Sequence, residues 1–137
     1  MEGGGLAEVR AREAAEAAAI LGAEPPILLG YPDTSLDTLP PGRLRDDFVR
    51  LLRMHRPEAV IAPDAAGPWD PHPDHRATAL AASDALLFAP LPLASPELTD
   101  AGLAPHFVVD KFFWTDQGNA NHIVDISDTM ERKLAAL

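Results

Sequence analysis

The chain has 137 residues, the length of one ordinary domain, and at 47% hydrophobic and 23% charged residues it has globular proportions. Its net charge of −10 argues against nucleic acid and anionic membrane surfaces as partners, because both would repel it. It has no cysteine, which removes disulfides, thiolate nucleophiles and thiolate metal sites, so any metal must be held by His, Asp or Glu. No apolar run approaches the ~20 residues of a membrane span. The opening MEGGG is neither a basic nor an apolar leader, which places the chain in the cytoplasm by default.

In chain order, Leu6 to Leu21 is rich in Ala, Glu and Arg, with Leu6, Val9, Ala14, Ala17, Ile20 and Leu21 at roughly helical spacing. Gly22 stands where a helix-terminating glycine belongs. Ile27-Leu28-Leu29, between Pro25-Pro26 and Gly30, has the form of a short buried strand. Tyr31 to Gly42, with three prolines, reads as a loop. Arg43 to His55 is a second amphipathic helix through Leu44, Phe48, Leu51 and Leu52, and Pro57 forbids its continuation. Ala59 to Ala62 is the next strand, followed by an alanine-rich helix from His75 to about Phe88. Pro90 to Pro105, with four prolines, reads as a long connection. Phe107 to Val109 with Lys111 to Trp114 suggests one strand and His122 to Ile126 another, before a last helix over Thr129 to Leu137.

Helix and strand alternate throughout, which predicts a single α/β layered domain over residues 1–137 with a largely parallel sheet. The pattern opens on a helix and ends inside another, so the domain is expected to be partial. The sheet edge such a domain would expose makes a homo-oligomer an expected form.

The chemistry concentrates in PWDPHPDHRA, Pro68 to Ala77, just beyond the strand that ends at Ala62. In open α/β sheets, ligands bind at the carboxyl ends of strands, facing the N-termini of the following helices. Pro73 suits the first helical position, which makes His72 the helix N-cap and puts His75 in the first turn. Both imidazoles then face one point in front of the helix. They can bind a metal together, or one can bind it while the other moves a proton and an aspartate orients it. A capped turn with partly exposed histidines has the same spacing and no chemistry. Two histidines are also fewer than the three protein ligands of a catalytic zinc.

PHPDHRATA, preceded by a strand ending in Ala-Pro, resembles the second signature of the LmbE-like (PIG-L-type) zinc-dependent de-N-acetylases. LAEVRAREAAEAAAILGA is similar to that family's R-x-x-E helix, with Arg10 and Glu13 at the matching positions, and LLGYPDTSLD to its next strand and loop. FFWTDQGNANHIVDISDTMERKLAAL is similar to its distal region, so the resemblance runs along nearly the whole chain. It implies a Rossmann-like three-layer α/β fold with a mostly parallel sheet. The implied reaction is hydrolysis of an N-acetyl group from a small-molecule N-acetylglucosamine-type sugar conjugate. The implied cofactor is Zn2+ or another divalent metal, which polarises the amide carbonyl and activates water. By position, His75 matches the metal ligand and His72 the histidine that stabilises the oxyanion or protonates the leaving amine. Asp74 matches the carboxylate that orients His72, and Arg10 and Asp33 match contacts to the sugar. Asp70 occupies a place near the reacting carbonyl where some members carry tyrosine.

The family's first signature, A-H-P-D-D-E, has no counterpart in the chain, whose only Asp-Asp pair is Asp46-Asp47 on a helix. The first strand–helix–strand unit is therefore expected to be missing, leaving one metal ligand of three and little activity for the chain alone. A non-catalytic remnant serving as a binding or partner subunit is one alternative. A standalone metal-binding α/β domain is another. The residues also have plainer readings. Arg10 with Glu13 makes an ordinary surface pair, Asp33 suits a turn, and His55 suits a helix C-terminus. Trp69 can form a sugar-binding wall or anchor a loop, and His106 and His122 carry no assigned chemistry.

Overall fold

The computed structural model describes residues 3–65, 72–114 and 120–137. Its elements in chain order are α1 (Gly3–Leu21), α2 (Arg43–His55), β1 (Ala59–Pro63), α3 (Pro73–Phe88), α4 (Pro96–Asp100), β2 (Asp110–Trp114) and α5 (Met130–Ala135). Single 3-10 turns lie at Leu36–Thr38, Pro92–Ala94 and Ser127–Thr129. The chain divides into two compact units, one of Met1–Gly30 with Asn121–Leu137, the other Tyr31–Ala120.

In the first unit α1 stops where its sequence expects. Gly22 takes φ 76° and donates to Ala19 O at 3.2 Å, while Ala23 donates to Ala18 O at 2.9 Å. These two bonds satisfy carbonyls that the last turn leaves open, in the crossed pattern glycine permits. α5 lies against α1. Two expected strands of this unit are absent. Residues 27–29 form no ladder, and their three side chains are 55%, 60% and 40% exposed. His122–Ile126 likewise forms no strand, with Ile123 88% exposed. A β-strand is completed by a partner's backbone, and among the described residues neither segment has one.

The second unit holds the core. Val49 and Leu52 of α2 pack with Ala85 and Leu86 of α3, with Leu98 of α4, and with Ala89 and Val108 from the connections. The alanine face of α3 (Ala79, Ala81, Ala82, Ala85) is buried, and its small side chains let α2 and β1 approach closely. α2 runs over the residues its apolar spacing predicts and ends on Arg56 at φ 50°, one residue before Pro57. The connection read as a Pro90–Pro105 loop contains α4, because Pro96 stands at its first position, where the missing N–H costs nothing. This segment is anchored by the side chain of Arg53, which is 2% exposed. It donates to Ala89 O at 3.0 Å, Leu91 O at 2.7 Å, Ser95 O at 3.1 Å and Thr99 Oγ1 at 3.2 Å.

β1 and β2 pair in parallel with Ala59 opposite Asp110 and Pro63 opposite Trp114, the only sheet among the described residues. Parallel strands need a crossover, and α3 and α4 supply it. The result is an α/β fold with a small parallel sheet, smaller than the mostly parallel sheet the alternation predicts. The pairing starts at Asp110 rather than Phe107, since Val109 N–H and Asp110 N–H both donate to Glu58 O just ahead of β1. Both strands point their carboxyl ends the same way. Asp64 extends the ladder there through its N–H to Trp114 O at 3.1 Å.

Candidate active site

α3 begins with the residues that carry the motif. His72 is its N-cap, with extended backbone at φ −71° and ψ 120°, and Pro73 follows at the first helical position. The His72 Nδ1 accepts the Asp74 N–H at 3.2 Å, so the helix end itself uses one ring nitrogen. An accepting Nδ1 carries a lone pair, which puts the proton of the neutral ring on Nε2. His75, one turn on, stacks on His72 with ring centroids 4.8 Å apart and planes at 25°. The expected convergence of the two imidazoles is therefore present.

Asp74 is 8% exposed and its carboxylate is taken up by the loop before α2. Oδ2 accepts the Thr34 N–H at 2.8 Å and Oδ1 accepts the Leu36 N–H at 2.9 Å. Its bond to His72 runs through its own backbone N–H, not through the carboxylate that the resemblance casts as the orienting group. Among the described residues, a carboxylate beside His72 is that of Asp33, whose Oδ1 lies 3.8 Å from Nε2. That separation is too long for a hydrogen bond and within ion-pair range when the ring is protonated. The loop carrying Asp33 is closed by its own side chains. Thr34 Oγ1–H donates to Asp33 O at 2.7 Å and Ser35 Oγ–H to Pro32 O at 2.6 Å.

Arg10 stands in the first unit and donates from Nη1 to Glu13 Oε2 at 2.8 Å, both side chains well exposed. Asp70 and Trp69 lie outside the described residues. His55 closes α2 and His106 is tied through Nε2 to Pro57 O at 2.7 Å, both structural positions. Asp64, half-buried where β1 ends, was not singled out by its sequence context, although a strand-end position is a signal for such a residue.

Near the loop's start, Tyr31 Oη–H donates to Asp47, and Arg43 Nε donates to Tyr31 Oη at 2.9 Å. The Tyr31 bond, with Asp47 close by, holds the Arg43 guanidinium above its ordinary value. This trio joins the loop to the first turns of α2.

A catalytic zinc takes three protein ligands and keeps a fourth position open. Among the described residues, no three His, Cys, Asp or Glu side chains are grouped to hold a metal ion. The described residues therefore do not fit a catalytic zinc by themselves. What they assemble is an imidazole pair with one carboxylate nearby, able to hold and pass a proton and to accept one bond to a cation.

The fold is that of an α/β protein whose candidate histidine pair opens α3, the helix that follows the parallel strand β1 in the chain. The chain belongs to the PIG-L family, described as GlcNAc-PI de-N-acetylase, which it matches over residues 1–86. It is 37% identical over 133 residues to a diacetylchitobiose deacetylase of Thermococcus kodakarensis, covering 96% of this chain and 48% of that protein. The structure superposes with a TM-score of 0.85 and 38% identity on the N,N′-diacetylchitobiose deacetylase of Pyrococcus horikoshii in complex with an inhibitor, again over 96% of this chain and 48% of the other. A conserved protein of Thermus thermophilus is similar at TM-score 0.77 and 34% identity, over 94% of this chain and 55% of the other. The chain thus spans about half the length of the relatives it matches. No helix among the described residues is long and apolar enough to cross a membrane.

Proposed function

We propose that the chain carries part of the active site of a metal-dependent hydrolase that removes the acetyl group from an N-acetylglucosamine-type sugar. The observation that carries this reading is the stacked His72–His75 pair at the start of α3. It lies in a chain that aligns with diacetylchitobiose deacetylases over nearly all its own length. On this reading His75 is a metal ligand, completed by donors beyond the described residues. His72, with its proton on Nε2, serves the reacting amide as donor. Arg10, Asp33 and Asp70 are the proposed sugar contacts, and Asp74, proposed by resemblance to orient His72, also holds the loop that carries Asp33. The bound metal would polarise the amide carbonyl and activate water. The Rossmann-like three-layer arrangement and a cytoplasmic setting belong to the same proposal, as does the absence of the family's first strand–helix–strand unit from these 137 residues, which contain no second His-Pro-Asp.

Ligand count sets the expected activity. One or two imidazoles hold zinc far more weakly than three ligands do. The chain alone is therefore expected to be weakly active or inactive. Release of free amine from N,N′-diacetylchitobiose, measured with zinc added and with the Thermococcus kodakarensis enzyme alongside, tests this. The expected result is a rate at least about a hundredfold below the full-length relative, given the 10–100-fold losses that even outer-shell changes cause at metal sites. Any residual rate should vanish in His75→Ala. A rate equal to the relative's would show that the ligand set is complete without a third described donor. Residual turnover that survives His75→Ala would remove the proposed site.

A second reading, a non-catalytic binding subunit, fits the finding that among the described residues no three donors are grouped. Zinc-independent binding of N-acetylglucosamine by a chain with no turnover would support it.

A further inference from the structure

We propose that Asp74 is a positioning residue for the sugar side of this site: it clamps the loop before α2 so that Asp33 stays opposite His72. The inference rests on the reading of the start of α3 as a sugar-processing site, and it adds a role drawn from bonds that span nearly forty residues of chain. Asp33 is 87% exposed and its separation from His72 is 3.8 Å. An exposed pair of that kind contributes almost nothing to holding itself together. Something stronger must fix the loop, and the buried carboxylate of Asp74 is that anchor. Its two oxygens take the N–H groups of Thr34 and Leu36, which flank the loop immediately after Asp33. Two N–H bonds to one buried carboxylate, both short of 3 Å, hold the loop better than an exposed pair can.

The backbone supports the same direction of cause. Thr34 sits at φ 60°, a left-handed conformation that a β-branched residue keeps only when its surroundings impose it. That turn aims the Thr34 N–H at Asp74 and leaves the preceding side chain, Asp33, on the His72 side. Asp74 is itself fixed, because its own N–H is held by the His72 ring at the helix N-cap. One residue thus links the imidazole to the loop: its backbone holds the ring, and its carboxylate holds the segment that presents Asp33.

The test uses the full chain, compared with Asp74→Asn, by NMR. The clamp expects Thr34 and Leu36 amides to exchange roughly tenfold faster or more in Asp74→Asn, the size of effect that loss of a charge-assisted bond gives. It also expects the proximity signal between Asp33 Hβ and the His72 ring to disappear, while amides of α2 and α3 keep their protection. Binding of N-acetylglucosamine should weaken about tenfold. Unchanged Thr34 and Leu36 exchange, or a retained Asp33–His72 proximity, overturns the clamp. A loosened loop with unchanged sugar affinity overturns its part in the site. Should α2 and α3 lose protection in Asp74→Asn, Leu36→Pro makes the same comparison from the loop side. It removes one of the two donors to Asp74 and leaves the sequence of α3 unchanged. If the unmodified chain binds no N-acetylglucosamine, the sugar reading fails, and the exchange and proximity measurements still decide the clamp.

Discussion

Asp125 shows how a single residue responds to its nearest neighbours. The Ser127 hydroxyl donates to its Oδ1 at 2.6 Å and the Ser127 N–H to the same oxygen at 2.9 Å. Those bonds, the hydroxyl first, hold the carboxyl below its usual range. A carboxylate whose folded value is depressed contributes stability above its unfolded value, near 3.9, and loses that contribution as pH falls through the folded value. A carboxyl-carbon titration should therefore find Asp125 below about 3.9, and Ser127→Ala should move it upward; a Ser127→Ala titration that overlays the original would contradict this. Such short-range bonds can be read from an Asp-x-Ser sequence. The His72 cap belongs to the same legible class, since Pro73 marks the helix start. The Asp74 carboxylate does not. Its partners, Thr34 and Leu36, lie 40 and 38 residues away, and no local pattern announces them.

At the scale of elements, helices were the readable part. α2 and α3 have apolar faces that bury against each other, so spacing alone places them within two residues. α4 was hidden by prolines, which mark the starts of short helices as readily as they mark loops. What holds α4 is Arg53, a residue that amphipathic spacing would leave at the surface. A buried guanidinium must have its donors satisfied, and three carbonyls and a hydroxyl do so. Arg53→Met keeps the volume but strands those acceptors, and should cost about 3 kcal/mol. In thermal unfolding this is a fall of roughly 10 °C. Faster amide exchange over residues 89–99 should accompany it. A midpoint within about 2 °C of the original would mean that the core, and not the arginine, holds the segment.

For the whole molecule, the alternation of helix and strand carried the α/β class, and the family match carried the rest. The expected strands at Ile27–Leu29 and His122–Ile126 failed for one physical reason. Apolar composition supplies a reason to be buried, but only a neighbouring backbone makes a strand, and Ile123 at 88% exposure has neither burial nor ladder. The site divides the same way. The helix-borne histidines of the candidate site, His72 and His75, could be paired from spacing, whereas Asp33 reads alone as a turn residue and only the fold brings it within 3.8 Å of His72. On the proposed function, this histidine pair is the chain's share of a metal-dependent deacetylase site. Imidazole nitrogen spectra of the five histidines during a zinc titration test it most directly. His75, and His72 stacked on it, are expected to shift while His55, His106 and His122 stay in place. Binding should be weak and abolished by His75→Ala. Zinc that moves the other histidines first, or that binds one per chain with His75 removed, would contradict it.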